Sequence, residues 1–121
     1  MTLKEFYVSV GGSYDDVMNR LRMEKLVYKF LFKFPAATDY SDLVNAVKNA
    51  EWPDAFRFSH NLKGVGLNLS LDRMAQAAST LCEEIRNGPP SVDVAPMMSA
   101  ITAEYDHVIS QINILKESVE A

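Results

Sequence analysis

"FSHNLKGVGLNLSLD", Phe58 to Asp72, holds a histidine, a lysine and two glycines between His60 and Gly66. The stretch is either a glycine-rich loop, which would make a phosphate cradle, or a helix that tolerates two poor helix formers. The loop reading fails on pattern. "GVGLNL" does not complete G-x-G-x-x-G, because Leu69 stands where the third glycine belongs and no strand precedes it. Nor does it match the phosphate loop G-x-x-x-x-G-K-[ST]. The helix reading succeeds: Ala55, Phe58, Leu62, Val65 and Leu69 step by three and four along one apolar stripe.

At about 100° per residue, these five side chains fall within about 80° of one another around the axis. With Phe58 at zero the stripe centres at about +20°, which puts His60 at about 200°, facing away from the core. Lys63, at about 140°, and Gly64, at about 240°, flank it one turn along. Phe56 and Leu67 fall at about 160° and 180° on the same outward face. Two large apolar side chains beside an exposed histidine form a small docking patch.

A glycine inside a helix costs about 1 kcal/mol relative to alanine, so each needs a reason. Gly64 follows His60 by four residues, and its missing Cβ leaves room for a bulky group on the ring. Lys63 brings an ammonium to the same place. A phosphoryl group fits both features, being bulky and anionic, and lysine binds phosphate as a flexible point charge. Gly66 lies nearer the stripe's edge and reads as allowing close helix contact. Each feature alone has an ordinary reading. An exposed histidine is commonly a solvated one, a mid-helix glycine commonly serves packing, and Phe56 and Leu67 could meet a neighbouring helix. The conjunction carries the hypothesis.

The remaining chain is helical in pattern. Residues 2 to 9 read as a short helix ending at Gly11-Gly12, and Ser13 caps a second, with Asp15 and Asp16 at its positive end. That helix breaks near Arg20 to Met23 and resumes through "KLVYKFLFKF", stopping before Pro35. "TDYSDLVNAVKNA" begins at Thr38 or Asp39 with Leu43, Val44 and Val47 inward. Pro53 suits the first turn of the histidine helix, which runs to about Ser70. "LDRMAQAASTLCEEIRNGPP" aligns Leu71, Met74, Ala75, Ala78, Leu81, Cys82 and Ile85 and stops at Gly88-Pro89-Pro90. The last segment repeats the pattern with Met97, Ile101, Val108, Ile112, Leu115 and Val119. No β-alternating run appears. Periodic segments with short connections predict an all-α fold, an antiparallel four-helix bundle with additional short N-terminal helices.

Bulk properties agree. A chain of 121 residues fits one domain, 1–121, large enough to bury a core. Hydrophobic residues at 48% and charged residues at 23% are an ordinary globular balance. The net charge of −4 argues against nucleic acid as a partner. One cysteine, Cys82, excludes an internal disulfide. No apolar run reaches the roughly 18 residues of a membrane span, and "MTLKEFYVSV" lacks a signal-peptide core. The expectation is a cytoplasmic monomer that binds no membrane. The initial methionine and the lack of linkers favour a free-standing protein over a piece of a larger one.

Other constellations carry less. Glu104 and His107 have the Glu-x-x-His spacing of di-iron bundles, but His60 has Arg57 where the second glutamate belongs, so no metal site is expected. Cys82 sits in an apolar stripe and reads as a buried structural thiol. "CEE" at 82–84 and "KFLFK" at 29–33 read as solvated charges bordering core residues. The six methionines read as core filling, and Trp52 as a packing residue at the start of a helix that could also border a partner surface.

"SHNLKGVGLNLSLDRM" closely resembles the histidine-containing phosphotransfer domains of bacterial phosphorelays, with their H-x-L-K-G signature on a four-helix bundle; His60, Leu62, Lys63 and Gly64 match its positions. The resemblance extends to "GGSYDDVMNRLRMEKLVYKFLFKFP" upstream and "AASTLCEEIRNG" downstream. Many members carry Leu-Gly where this chain has Leu69-Ser70, a departure at the turn between helices, away from His60. The resemblance implies His60 as phosphoacceptor, with Lys63 and Gly64 supporting it. It implies as partner the receiver domain of a hybrid sensor kinase or of a response regulator, with Mg²⁺ held by that receiver and no cofactor on this chain. A neutral imidazole supplies the nucleophile, so such a domain needs only that and a docking surface. It would be a phosphocarrier and not a self-sufficient enzyme. The reading from a different class is an adaptor bundle that binds a partner through the Phe56–Leu67 face without phosphoryl transfer.

Overall fold

The computed structural model describes residues 1–120. Seven α-helices occur among them: α1 (Leu3–Ser9), α2 (Tyr14–Leu21), α3 (Glu24–Lys33), α4 (Asp39–Lys48), α5 (Trp52–Asn68), α6 (Asp72–Glu84) and α7 (Ala95–Glu120), with a 3-10 turn at Phe34–Ala36. No strand is present among the described residues. The helix starts follow from local chemistry. Thr2 and Glu5 form a reciprocal capping box on α1. Ser13 Oγ accepts from the Asp16 N–H at α2, whose first turn carries Asp15 and Asp16 against the positive helix end. Arg22, at φ 72°, is left-handed and separates α2 from α3, within the break expected from sequence.

Helices α4 to α7 form the four-helix bundle, with α5 packed between α4 and α6, and α7 against α6. Tyr40 of α4 stacks on Tyr105 of α7, ring centroids 4.0 Å apart, and its hydroxyl is hydrogen-bonded to Thr102, 2.7 Å away. This contact ties the bundle's first helix to its last. Helices α1 and α3 pack on α7. One core includes Phe6, Val27, Leu31, Leu43, Leu62, Met74, Leu81, Ile101, Val108 and Ile112, all fully buried.

The turn between α5 and α6 anchors the N-terminal helices. Ser70 is buried with φ 55°, the left-handed conformation that glycine adopts without strain. Its hydroxyl accepts from the Ser13 N–H at 2.9 Å and lies 3.3 Å from the Asp72 carboxylate, so polar partners hold the strained residue. The Tyr7 hydroxyl donates to the Leu69 carbonyl at 2.8 Å, and burial pushes its pKa well above the ordinary phenol value.

Three details differ from the sequence expectation. On α5 the buried residues are Ala55, Ser59, Leu62 and Gly66, with Leu69 just beyond the helix end, whereas Phe58 and Val65 are only half-buried. The inward face is therefore turned toward the small residues, because small residues are what let a neighbouring helix approach. Ser59 is satisfied locally, donating to the Phe56 carbonyl at 3.0 Å. On α4, Leu43 and Ala46 are buried, while Val44 and Val47 are half-buried beside a groove that Val94 and Met98 also line. Val119 is 50% exposed, and Met1 and Met23 are exposed as well; Met74 alone among the methionines is fully buried.

Gly66 faces α6 closely enough that a Cβ there would lie 2.9 Å from the Ala75 Cβ. Gly66→Ala, although it improves helix propensity, is expected to lower stability by about 1–3 kcal/mol through overpacking. Thermal or urea unfolding measures it, and an unchanged or raised midpoint would show that α5 and α6 are not in this contact.

Candidate functional site

His60 lies exposed on α5, and apart from the local helix backbone and the adjacent residues nothing comes within 4 Å of where a Cβ on Gly64 would sit. The space over the next helical turn is therefore open. Lys63 is half-buried on the side of α5 that faces α6. Its charge reaches Glu83 of α6, whose carboxyl pKa is lowered chiefly by a hydrogen bond from Arg86, then by the Arg86 charge, with Lys63 contributing less. Leu67 is 51% exposed on the same face, as its angle predicted.

Phe56 is placed differently from the fully outward position expected. It is half-buried and packed against the core, yet its ring stacks on the His60 imidazole at 6.0 Å between centroids and 23° between planes. The Arg86 guanidinium lies 5.5 Å from the same ring's centroid, and Arg86 Nε donates to Glu83 Oε2 at 3.3 Å. Arg86, on the Phe56 ring, and Glu83, bound to Arg86, thus reach the histidine through Phe56, a connection the sequence did not announce. They lie more than 20 residues from it in sequence, and nothing in a helical period announces a cation over an aromatic ring. On the opposite flank Asn61 donates to Asp39 of α4 at 3.4 Å. Arg57 pairs with Asp54 at 3.3 Å and covers the Phe58 ring at 4.6 Å. Arg20 donates to the Leu67 carbonyl at 3.0 Å, which brings α2 to the far end of this face.

Other residues singled out in the sequence lie elsewhere. His107 is half-buried with Nε2 2.8 Å from the Ser9 carbonyl, which also accepts from Arg73. Glu104 pairs with Arg73 at 3.2 Å. No group of three or more His, Cys, Asp or Glu side chains among the described residues is arranged to hold a metal ion. Cys82 is fully buried. Trp52 packs half-buried against the core at the start of α5. No helix of the described residues is long and apolar enough to cross a membrane.

An all-α bundle displaying a histidine beside a lysine and an open glycine defines a class, and comparison with protein families agrees with it. Residues 31–111, well over half of the chain, match the family model described as the Hpt domain. The chain belongs to the Hpt domain family, which carries out histidine phosphotransfer in phosphorelays. Hpt domains are phosphocarriers and not catalysts, and as a family they interact with receiver domains. The match begins inside α3 and ends inside α7, so α1 and α2 lie outside it. Searches of curated proteins and of solved structures gave no match.

The open space at Gly64 leads to a paired expectation. Gly64→Ala should stabilise the helix by up to about 1 kcal/mol, in contrast to the same change at Gly66. Phosphotransfer should slow nonetheless, and more with Gly64→Val. Transfer rates that do not change in Gly64→Val would show that the space has no role.

Proposed function

We propose that this protein is a histidine phosphocarrier whose acceptor is His60. In this reading it exchanges a phosphoryl group with the aspartate of a receiver domain, belonging to a hybrid sensor kinase or to a response regulator. The observation that carries the reading is His60 itself, exposed on α5 with unobstructed space over Gly64, in a chain of this family.

The chemistry asks little of the carrier. A lone pair on an imidazole nitrogen attacks the phosphorus of the receiver's aspartyl phosphate. The N–P bond forms as the P–O bond to the aspartate breaks, and the carboxylate leaves with the electron pair. Lys63, one turn from His60, offsets part of the charge that arrives. The clearance at Gly64 admits the phosphoryl group and the approaching receiver. Mg²⁺ belongs to the receiver in this reading, where it offsets charge on the aspartyl phosphate. Leu67, 51% exposed, supplies apolar surface for docking.

His60→Gln should abolish labelling by a phosphorylated receiver while leaving the helical circular-dichroism spectrum intact. Label of equal intensity in the variant, or label mapped to His107, would refute the assignment.

Docking has its own test. Burying a leucine side chain fully is favourable by about 1.5–3 kcal/mol before the costs of association. Leu67→Ala should therefore weaken receiver binding about tenfold and barely move the melting temperature, since Leu67 is half exposed. A clear melting loss with unchanged affinity would remove Leu67 from the docking surface.

A further inference from the structure

We propose that Phe56 is a positioning residue for the His60 imidazole, held in place by Arg86 and Glu83. The proposal rests on the reading of His60 as phosphoacceptor. An exposed histidine on a helix ordinarily turns about its side-chain bonds, so its lone pair points at an incoming phosphorus only part of the time. In-line attack requires that direction to be set. Phe56 and His60 are four residues apart, one above the other on α5, and their rings lie nearly parallel at 6.0 Å. The two rings differ in freedom. Phe56 is half-buried against the core, while His60 is exposed, so the fixed ring orients the free one.

Phe56 is in turn contacted from beyond the end of α6. The Arg86 guanidinium lies over its ring at 5.5 Å, a cation on an aromatic face. Two hydrogen bonds to Glu83, from Nε and from Nη2, fix the guanidinium's orientation. A chain of contacts therefore runs from Glu83 through Arg86 and Phe56 to His60. A phenylalanine whose only task was to meet a partner would have no need of a tethered arginine over its ring.

The test has two parts. In the unphosphorylated protein, proton NMR reads the His60 ring resonances, which the Phe56 ring current should move away from those of a free histidine. The displacement should vanish in Phe56→Leu, survive in Phe56→Tyr, and shrink in Arg86→Gln. Single-turnover transfer from an excess of phosphorylated receiver then separates rate from affinity. Phe56→Leu should lower the maximal rate roughly three- to tenfold, the range expected for losing one aromatic pair, at an unchanged half-saturating receiver concentration. Phe56→Tyr should restore the rate. A changed half-saturation with the maximal rate intact would make Phe56 a docking residue only and overturn the proposal. A wild-type His60 resonance without displacement would also overturn it, whatever the kinetics. In Arg86→Gln, a slower rate with the resonance unmoved would take Arg86 out of the chain of contacts. Failure of wild-type protein to take label on His60 would instead defeat the phosphoacceptor reading, which the NMR result does not depend on.

Discussion

The approach of α5 to α6 at Gly66 and Ala75 sets the rotation of α5, and that rotation decides what every other residue on the helix faces. With Gly66 and Ser59 turned inward, the large residues Phe58 and Val65 move to the edge of the buried face. His60 still points to solvent, while Lys63 and Phe56 come to the side nearest α6. A larger residue at position 66 would separate the two helices. Lys63 would then lose Glu83, and Phe56 would lose Arg86. The two glycines of this helix therefore act on opposite sides, one admitting a helix and the other leaving space beside the histidine.

The turn after α5 extends that order to the N-terminal helices. Ser70 occupies a left-handed conformation that a serine adopts only at some cost, and its hydroxyl is bound on both sides by Ser13 and Asp72. Together with the Tyr7 hydroxyl on Leu69 and Arg20 on the Leu67 carbonyl, this holds α1 and α2 against the end of the histidine helix. Ser70 thus has a local role, and that role is played outside the site. At the far end of α1, the Ser9 carbonyl accepts from both Arg73 and His107, so the second histidine serves the fold.

Electrostatics around His60 is local and exposed. The Glu83–Arg86 pair is solvated on both sides, and pairs of that kind contribute about 0–1 kcal/mol to folding. Its consequence is geometric: the carboxylate orients a guanidinium over Phe56. Lys63 shares the neighbourhood of Glu83, and a phosphoryl group at His60 would compete with that carboxylate for the ammonium.

Local information determined much of this in advance. Helical periodicity over the long segments determined the all-α class, since a three- and four-residue step suits no other element. Ser13, Pro53 and Gly88-Pro89-Pro90 marked boundaries through backbone chemistry that acts within a few residues. The outward direction of His60, the clearance at Gly64 and the exposure of Leu67 followed from angles along one helix. Tertiary structure decided the rest. Gly66 makes the close helix contact that its place at the stripe's edge indicated, but the inward face of α5 was displaced further, to include Ser59, because a search for large apolar residues passes over a small polar one. Phe56 proved half-buried, since its surroundings depend on α6 and not on α5. Arg86 and Glu83 reached the site, and His107 reached Ser9, across separations that no local period spans. The sequence determined which way each side chain leaves its own helix; only packing decided which neighbour it meets there.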